Sequence, residues 1–202
     1  MIGKKTLMLI VIFDIIIVGF IWANTITNEL SGELLRLHII SNSNSQEDTK
    51  IKLSVRDEVI KIIRDTKYQN KKEVIDDLKK TENKVKDYLK KNGINYGCRI
   101  DFLKASFPAK RYNNILMPSG RYECIKVVLG EGAGENWWCI AYPPLCFTQT
   151  VSGYLNDEGE RQLSDKLSQE TFSIIHADTA EYKIRFKTID VINSIKEKFF
   201  IK

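Results

Sequence analysis

Apolar positions fall along this chain in three rhythms, and each rhythm predicts a different kind of element. The first is almost unbroken: Leu7 to Ala23 is interrupted by Asp14 and Gly19 alone and is preceded by Lys4 and Lys5. A bilayer-spanning helix needs about 17–25 apolar residues and a signal-peptide core somewhat fewer, so the run fits either an export signal or an anchor. Asp14 weighs against a permanent span, because a carboxylate near the bilayer centre costs about 2.5–3.5 kcal/mol on insertion scales. Ile21-Trp22-Ala23 offers a small residue at a cleavage edge without the Ala-x-Ala pattern. Residues 1–30 therefore read as a signal peptide or a membrane anchor. Under both readings Lys4 and Lys5 stay cytoplasmic, and the chain beyond this segment is delivered across the membrane.

The second rhythm has a period of two. Within Glu33 to Ile40, Leu35, Leu37 and Ile39 alternate with Arg36 and His38. Cys98 to Ser106 alternates in the same way, while Arg121 to Leu129 and Asn136 to Ala141 are rich in β-formers. Four strands follow. The third rhythm is helical. Ser45 with Asp48 gives an N-cap signal, after which Ile51, Val55, Val59, Ile62 and Ile63 share one side of a helix reaching about Asp65. Asn70 with Glu73 repeats the signal, and Val74, Ile75, Leu78, Val85 and Leu89 line a second helix that Asn92-Gly93 ends.

This order predicts a single α+β domain over residues 31–147, a mainly antiparallel sheet packed on two long helices behind the N-terminal hydrophobic helix. Phe107 to Gly120 reads as a long loop, and Gly130-Glu131-Gly132-Ala133-Gly134 as a tight reversal into the last strand. A phosphate-binding reading of that Gly-rich loop fails. Such a loop must open a helix whose N-terminus meets the phosphate, whereas a Trp-rich strand and then Pro143-Pro144 follow here. Residues 148–180 are polar and read as a linker, with at most a weak helix near Leu163 to Glu170. Residues 181–202 recover a pattern: Tyr182, Ile184 and Phe186 alternate as a strand, and Ile189, Ile192, Ile195 and Phe199 recur as an amphipathic helix.

Composition narrows the function more than the fold. The 202 residues are 43% hydrophobic and 28% charged, which excludes wholesale disorder. The net charge of +5 comes from 31 basic and 26 acidic residues mixed along the chain. Lys71-Lys72, Lys79-Lys80 and Lys90-Lys91 are interspersed with Glu73, Asp76, Asp77, Glu82 and Asp87, which cancels the field a nucleic-acid groove requires. No nucleic-acid partner is expected. His38 and His176 lack metal-ligand spacing, the four Cys lack Cys-x-x-Cys pairs, and no nucleophile elbow or Asp-Thr-Gly motif occurs. The reading is a non-enzyme without catalytic residue, metal, cofactor or small-molecule substrate.

Four Cys in an exported chain allow three pairings. Cys139 and Cys146 flank the turn demanded by Pro143-Pro144 and form the candidate disulfide. Cys98 and Cys124 fall in opposite phases of their strands, which leaves their pairing open. Asn136 to Phe147 concentrates two Trp, one Tyr, one Phe and two Pro in 12 residues. Its alternation sends Trp138 and Ile140 to the core and Trp137 and Cys139 outward. Rigid aromatic and Pro surface suits an interface anchor, so Trp137, Pro143 and Pro144 are candidate partner contacts, with Arg36, His38 and Asn42 supplying a polar rim.

Arg36-Leu37-His38-Ile39-Ile40-Ser41-Asn42-Ser43-Asn44-Ser45, followed by Lys52-Leu53-Ser54-Val55-Arg56-Asp57, resembles the opening signature of the stage II sporulation protein R family of endospore-forming bacteria. Ser106 to Lys110, Met117 to Glu123, Gly134 to Cys139 and Pro143-Pro144-Leu145-Cys146-Phe147 resemble the same family in the same order. Asn44 departs from it, standing where the family often has Asp. The resemblance implies a signal made in the forespore and exported into the space between the forespore and mother-cell membranes. There it would activate a membrane-embedded aspartic protease of the mother cell, which processes a sporulation sigma-factor precursor. The implied partners are that protease and, if the N-terminal segment is uncleaved, the membrane. Export alone also permits an extracytoplasmic cell-wall-binding protein or cell-wall hydrolase, which would need a polar cleft, for instance around His38.

Overall fold

Side chains just ahead of the first turn fix the starts of two long helices in this protein. In the computed structural model, which describes residues 3–66, 68–112, 115–146, 157–176, 187–195 and 198, Ser45 Oγ accepts from the Asp48 amide and Asn70 Oδ1 from the Glu73 amide. These bonds satisfy amides that the helices α2 (Gln46–Asp65) and α3 (Lys71–Lys91) leave without a partner in their first turns. Gly93, with φ of 72°, closes α3 in the left-handed region that favours Gly.

The first helix, α1 (Lys4–Glu33), is continuous through two environments. Its apolar side chains from Leu7 to Ile21 are exposed, whereas Ala23, Ile26, Thr27 and Leu30 are buried against the rest of the protein. Among the described residues it is the one helix long and apolar enough to cross a membrane.

Strands β1 (Leu35–Ile40), β2 (Cys98–Phe107), β5 (Gly120–Leu129) and β6 (Asn136–Tyr142) form one sheet in the order β2-β5-β1-β6. β1 runs parallel to β5 and antiparallel to β6, and β2 is antiparallel to β5, so the sheet is mainly antiparallel. The Gly-rich loop therefore does not join paired strands, as a tight reversal would; it carries the chain over β1. The reason is an interlocked pair of loops. The Asn42 carbonyl accepts from the Ala133 amide, and the Ser41 carbonyl from the Gly134 amide. A Cβ on Gly134 would overlap the Ser43 carbonyl, and one on Gly130, at φ +53°, would overlap the Asn42 side chain. Between β2 and β5, the stretch read as a loop contains a small ribbon, β3 (Lys110–Tyr112) with β4 (Ile115–Met117).

Alternation along the strands feeds two cores, because both faces of the sheet are covered. Leu35, Leu37, Ile39, Ile125, Val127 and Cys139 face α2 and α3, whose Val55, Val59, Ile63, Val74, Leu78, Val85 and Leu89 close that layer. Phe107, Tyr122, Cys124 and Ile140 face the other way, toward Ala23, Ile26 and Leu30 of α1. The stretch read as a polar linker contributes to this second core. Its helices α4 (Asp157–Ser164) and α5 (Gln169–Ile175), with the connection between them, bury Leu163, Leu167, Ile174 and Ile175, and Ile189 joins them from a helical stretch at 187–195. A few well-spaced apolar positions suffice there because α1 supplies the surface they cover. The strand read at Tyr182, Ile184 and Phe186 lies outside the described residues, as do Phe147 and Phe199.

Candidate functional site: a half-covered sheet face

Arg36 and His38 point to the same side of β1, yet they meet different surroundings. Arg36 is 0% exposed. Its guanidinium carbon lies 4.5 Å from the Phe107 ring centroid, 5.1 Å from that of Tyr122 and 6.0 Å from that of Tyr112. Nη2 donates to the Tyr112 hydroxyl at 3.3 Å, while Nε and Nη1 have no hydrogen-bond partner. Arg36 is therefore a core residue in an aromatic cage, not the rim contact its alternation suggested. Strand phase alone does not reveal that α1 packs across β5 and closes this half of the face.

Two residues farther along, the cover ends and His38 is partly exposed. Its Nε2 lies 2.6 Å from Asn136 Oδ1, and its ring sits 5.6 Å from Trp138 and 6.0 Å from Phe107. Burial lowers its pKa below 6.5, with the Lys126 charge adding to that effect and the Asn136 bond opposing it. Lys126 is the ladder partner of His38 on β5, and Trp138 is its partner on β6. Lys110 Nζ approaches the Trp138 ring at 6.0 Å. Asp101, opposite Lys126 on β2, is held by Arg99 at 2.7 Å. The open half of the face thus presents a partly exposed indole among His38, Lys110, Lys126 and Asn136, with Leu103 beside them.

Trp137 lies on the opposite face, half-buried against the α2 side with the Arg56 guanidinium 5.6 Å from its ring. Cys139, read as outward-facing, is 0% exposed in that same core, since α2 and α3 cover the side it points to. The structure joins Cys139 to Cys146 with a Cα–Cα distance of 5.3 Å, and it keeps Cys98 and Cys124 as buried thiols on opposite faces. Burial pushes both thiols up to about 11. Pro143 is buried and Pro144 partly so, beyond the end of β6. Of the residues singled out in the sequence, His38 belongs to the open patch. Trp138, Lys110, Lys126 and Asn136 complete it and were missed, although the phase of Trp138 with Ile140 already marked the correct face.

Asn42 is also used internally. Its Oδ1 accepts from the Glu131 amide at 3.0 Å and its Nδ2 donates to Asp48 at 3.0 Å. Asp48 is the hub of that corner, accepting further from Ser43 Oγ at 2.5 Å and the Tyr96 hydroxyl at 2.5 Å. These donors, Ser43 foremost and then Tyr96, hold its pKa at about 2 against the opposing effect of burial. The Ser/Asn run after β1 is thus a clamp between α2, the Gly-rich loop and the α3–β2 connection. A cavity of about 450 Å³ lies elsewhere, between α2 and α3, with Val55, Ile62 and Val85 among its lining and Glu58, Lys61 and Lys84 at its rim. It does not involve His38. Among the described residues no group of three or more His, Cys, Asp or Glu is placed to hold a metal.

The shared features extend to whole sequences. The family model for stage II sporulation protein R matches residues 31–152. The chain belongs to the stage II sporulation protein R family. Stage II sporulation protein R of Bacillus subtilis (strain 168) is 34% identical over 158 residues, covering 75% of this chain and 70% of the relative. No solved structure matches. The matched span holds the whole sheet with α2 and α3, including the open face, while most of α1 and all of α4 and α5 fall outside it.

Proposed function

We propose that this family member is an exported sporulation signal. It leaves the forespore by way of α1, reaches the space between the forespore and mother-cell membranes, and activates a membrane-embedded aspartic protease of the mother cell. That protease then processes a sporulation sigma-factor precursor. A ligand shifts a receptor only by its differential affinity for the active state, so activation requires a surface that binds, not a catalytic centre. Family membership over residues 31–152 carries this reading. The apolar helix supports export or anchoring, and the half-open sheet face, with its indole and flanking basic groups, supports a protein-binding role.

The test is reconstitution in non-sporulating cells. Co-expression of the full chain with the candidate protease and the sigma-factor precursor is expected to convert the precursor, whereas omission of the chain leaves it intact. Conversion that proceeds equally without the chain would overturn the reading.

A further inference from the structure

The open half of the sheet has a chemical bias that assigns it a kind of partner. Lys110 and Lys126 stand on either side of the Trp138–His38 pair, and the acidic side chain of that neighbourhood, Asp101, is engaged by Arg99. Lys126 is the ladder neighbour of His38 on β5, which places its ammonium group on this same face. The indole at the centre is partly exposed and lies between His38 of β1 and Lys110 of the ribbon. A buried aromatic anchor with charged groups at its margin is the arrangement that concentrates binding energy at one ring and leaves orientation to the charges.

We propose that this face docks an acidic segment of the protein on which the signal acts, its Asp or Glu carboxylates meeting Lys110 and Lys126 and its apolar side chains covering Trp138. The proposal rests on the receptor-binding reading above and names the chemistry of the receptor's segment. A lipid surface fits less well. Polybasic lipid sites gather about 4–8 Lys or Arg, and in this chain α1 already provides the apolar element suited to the bilayer.

The full-length chain is compared in the co-expression assay as wild type, as Lys110→Glu with Lys126→Glu, as Lys110→Arg with Lys126→Arg, and as Lys90→Glu with Lys91→Glu. The last pair makes the same change in net charge at the exposed end of α3. Reversal at the face is expected to lower conversion roughly ten-fold or more, while the Arg pair and the α3 pair stay within about two-fold of wild type. Trp138→Ala is expected to lose at least as much as the reversal. Equal losses from both reversals, or none from reversal at the face, would overturn the proposal while leaving the receptor reading intact if wild type still drives conversion. A photo-crosslinking residue in place of the exposed Ala109, next to Lys110, supplies a readout independent of activity and leaves the Arg99–Asp101 pair in place. Adducts to an acidic stretch of the protease are expected, and adducts to lipid alone would overturn the assignment. Should Trp138→Ala fail to fold, the Lys variants and the crosslink decide the matter.

Discussion

Arg36 shows how opposing terms of similar size make a prediction worth testing. Contact of a desolvated guanidinium with aromatic faces is worth about 2 kcal/mol or more, whereas an unsatisfied buried polar group costs about 1–3 kcal/mol and a charged one more. Nε and Nη1 are both unsatisfied inside the cage of Phe107, Tyr112 and Tyr122, so the cost should win. Arg36→Met, which keeps most of the volume and removes the charge, is expected to leave stability unchanged or raise it by about 1 kcal/mol in urea unfolding. Arg36→Ala is expected to lose about 3 kcal/mol or more, because the cage is left empty. Equal losses for both would show that the guanidinium itself, not its bulk, holds the core. At His38 the relevant variable is pH. Burial lowers its folded pKa below the ordinary 6.5, so the unfolded chain takes up the proton first. Its contribution is complete above pH 6.5 and is lost as pH falls from there through the lowered folded value. His38→Gln should therefore flatten the dependence of unfolding free energy on pH below 6.5. The strand phase of both residues was legible in the sequence. Which of them would be buried was not, since that depends on how α1, which runs directly into β1, packs back across β5.

Among the elements, the corner that joins α2, the Gly-rich loop and the α3–β2 connection hangs on Asp48. Its carboxylate accepts from Asn42, Ser43 and Tyr96, and charge-assisted bonds of this kind are worth about 1.5–3 kcal/mol each before coupling. Asp48→Ala is expected to destabilise the protein by about 2–4 kcal/mol, measured by chemical unfolding at neutral pH. Because the folded pKa is about 2 against an ordinary 3.8, this stabilisation is present above pH 3.8 and disappears as pH falls toward 2. The gap between wild type and Asp48→Asn should narrow over that acid range and nowhere else; a constant gap would sink the assignment. Ser45 and Asn70 announced their helices in the sequence because capping is local and acts within three residues. The insertion of β1 between β5 and β6 was not announced, because it is set by the meeting of two loops some 90 residues apart, Asn42 and Ser41 with Ala133 and Gly134. The missed ribbon at Lys110–Met117 is a subtler case: its two three-residue strands are too short for a period-two pattern to stand out.

On the scale of the whole molecule, the sheet separates two cores, and α1 belongs to only one of them. Its Leu30 is 0% exposed among Phe107, Tyr122 and the residues of α4 and α5. Glu29, one position earlier, accepts from Ser168 and Thr171 at the start of α5, and Trp22 Nε1 donates to Glu170 at 2.8 Å. The helix that leaves the membrane-competent segment is therefore also the support on which the C-terminal helices rest. Leu30→Ala should leave a cavity costing about 2–5 kcal/mol, and the damage should be uneven. Amide exchange is expected to accelerate at least ten-fold in α5, which depends on α1 for both apolar and polar contacts. In α2 and α3, shielded behind the sheet, it should change less than about two-fold under native conditions. A uniform acceleration on both sides would mean that the cores unfold as one unit and that α1 stabilises the far layer as strongly as the near one. The uneven result would instead identify the C-terminal helices as a separately opening cover, resting on the one described helix long and apolar enough to cross a membrane.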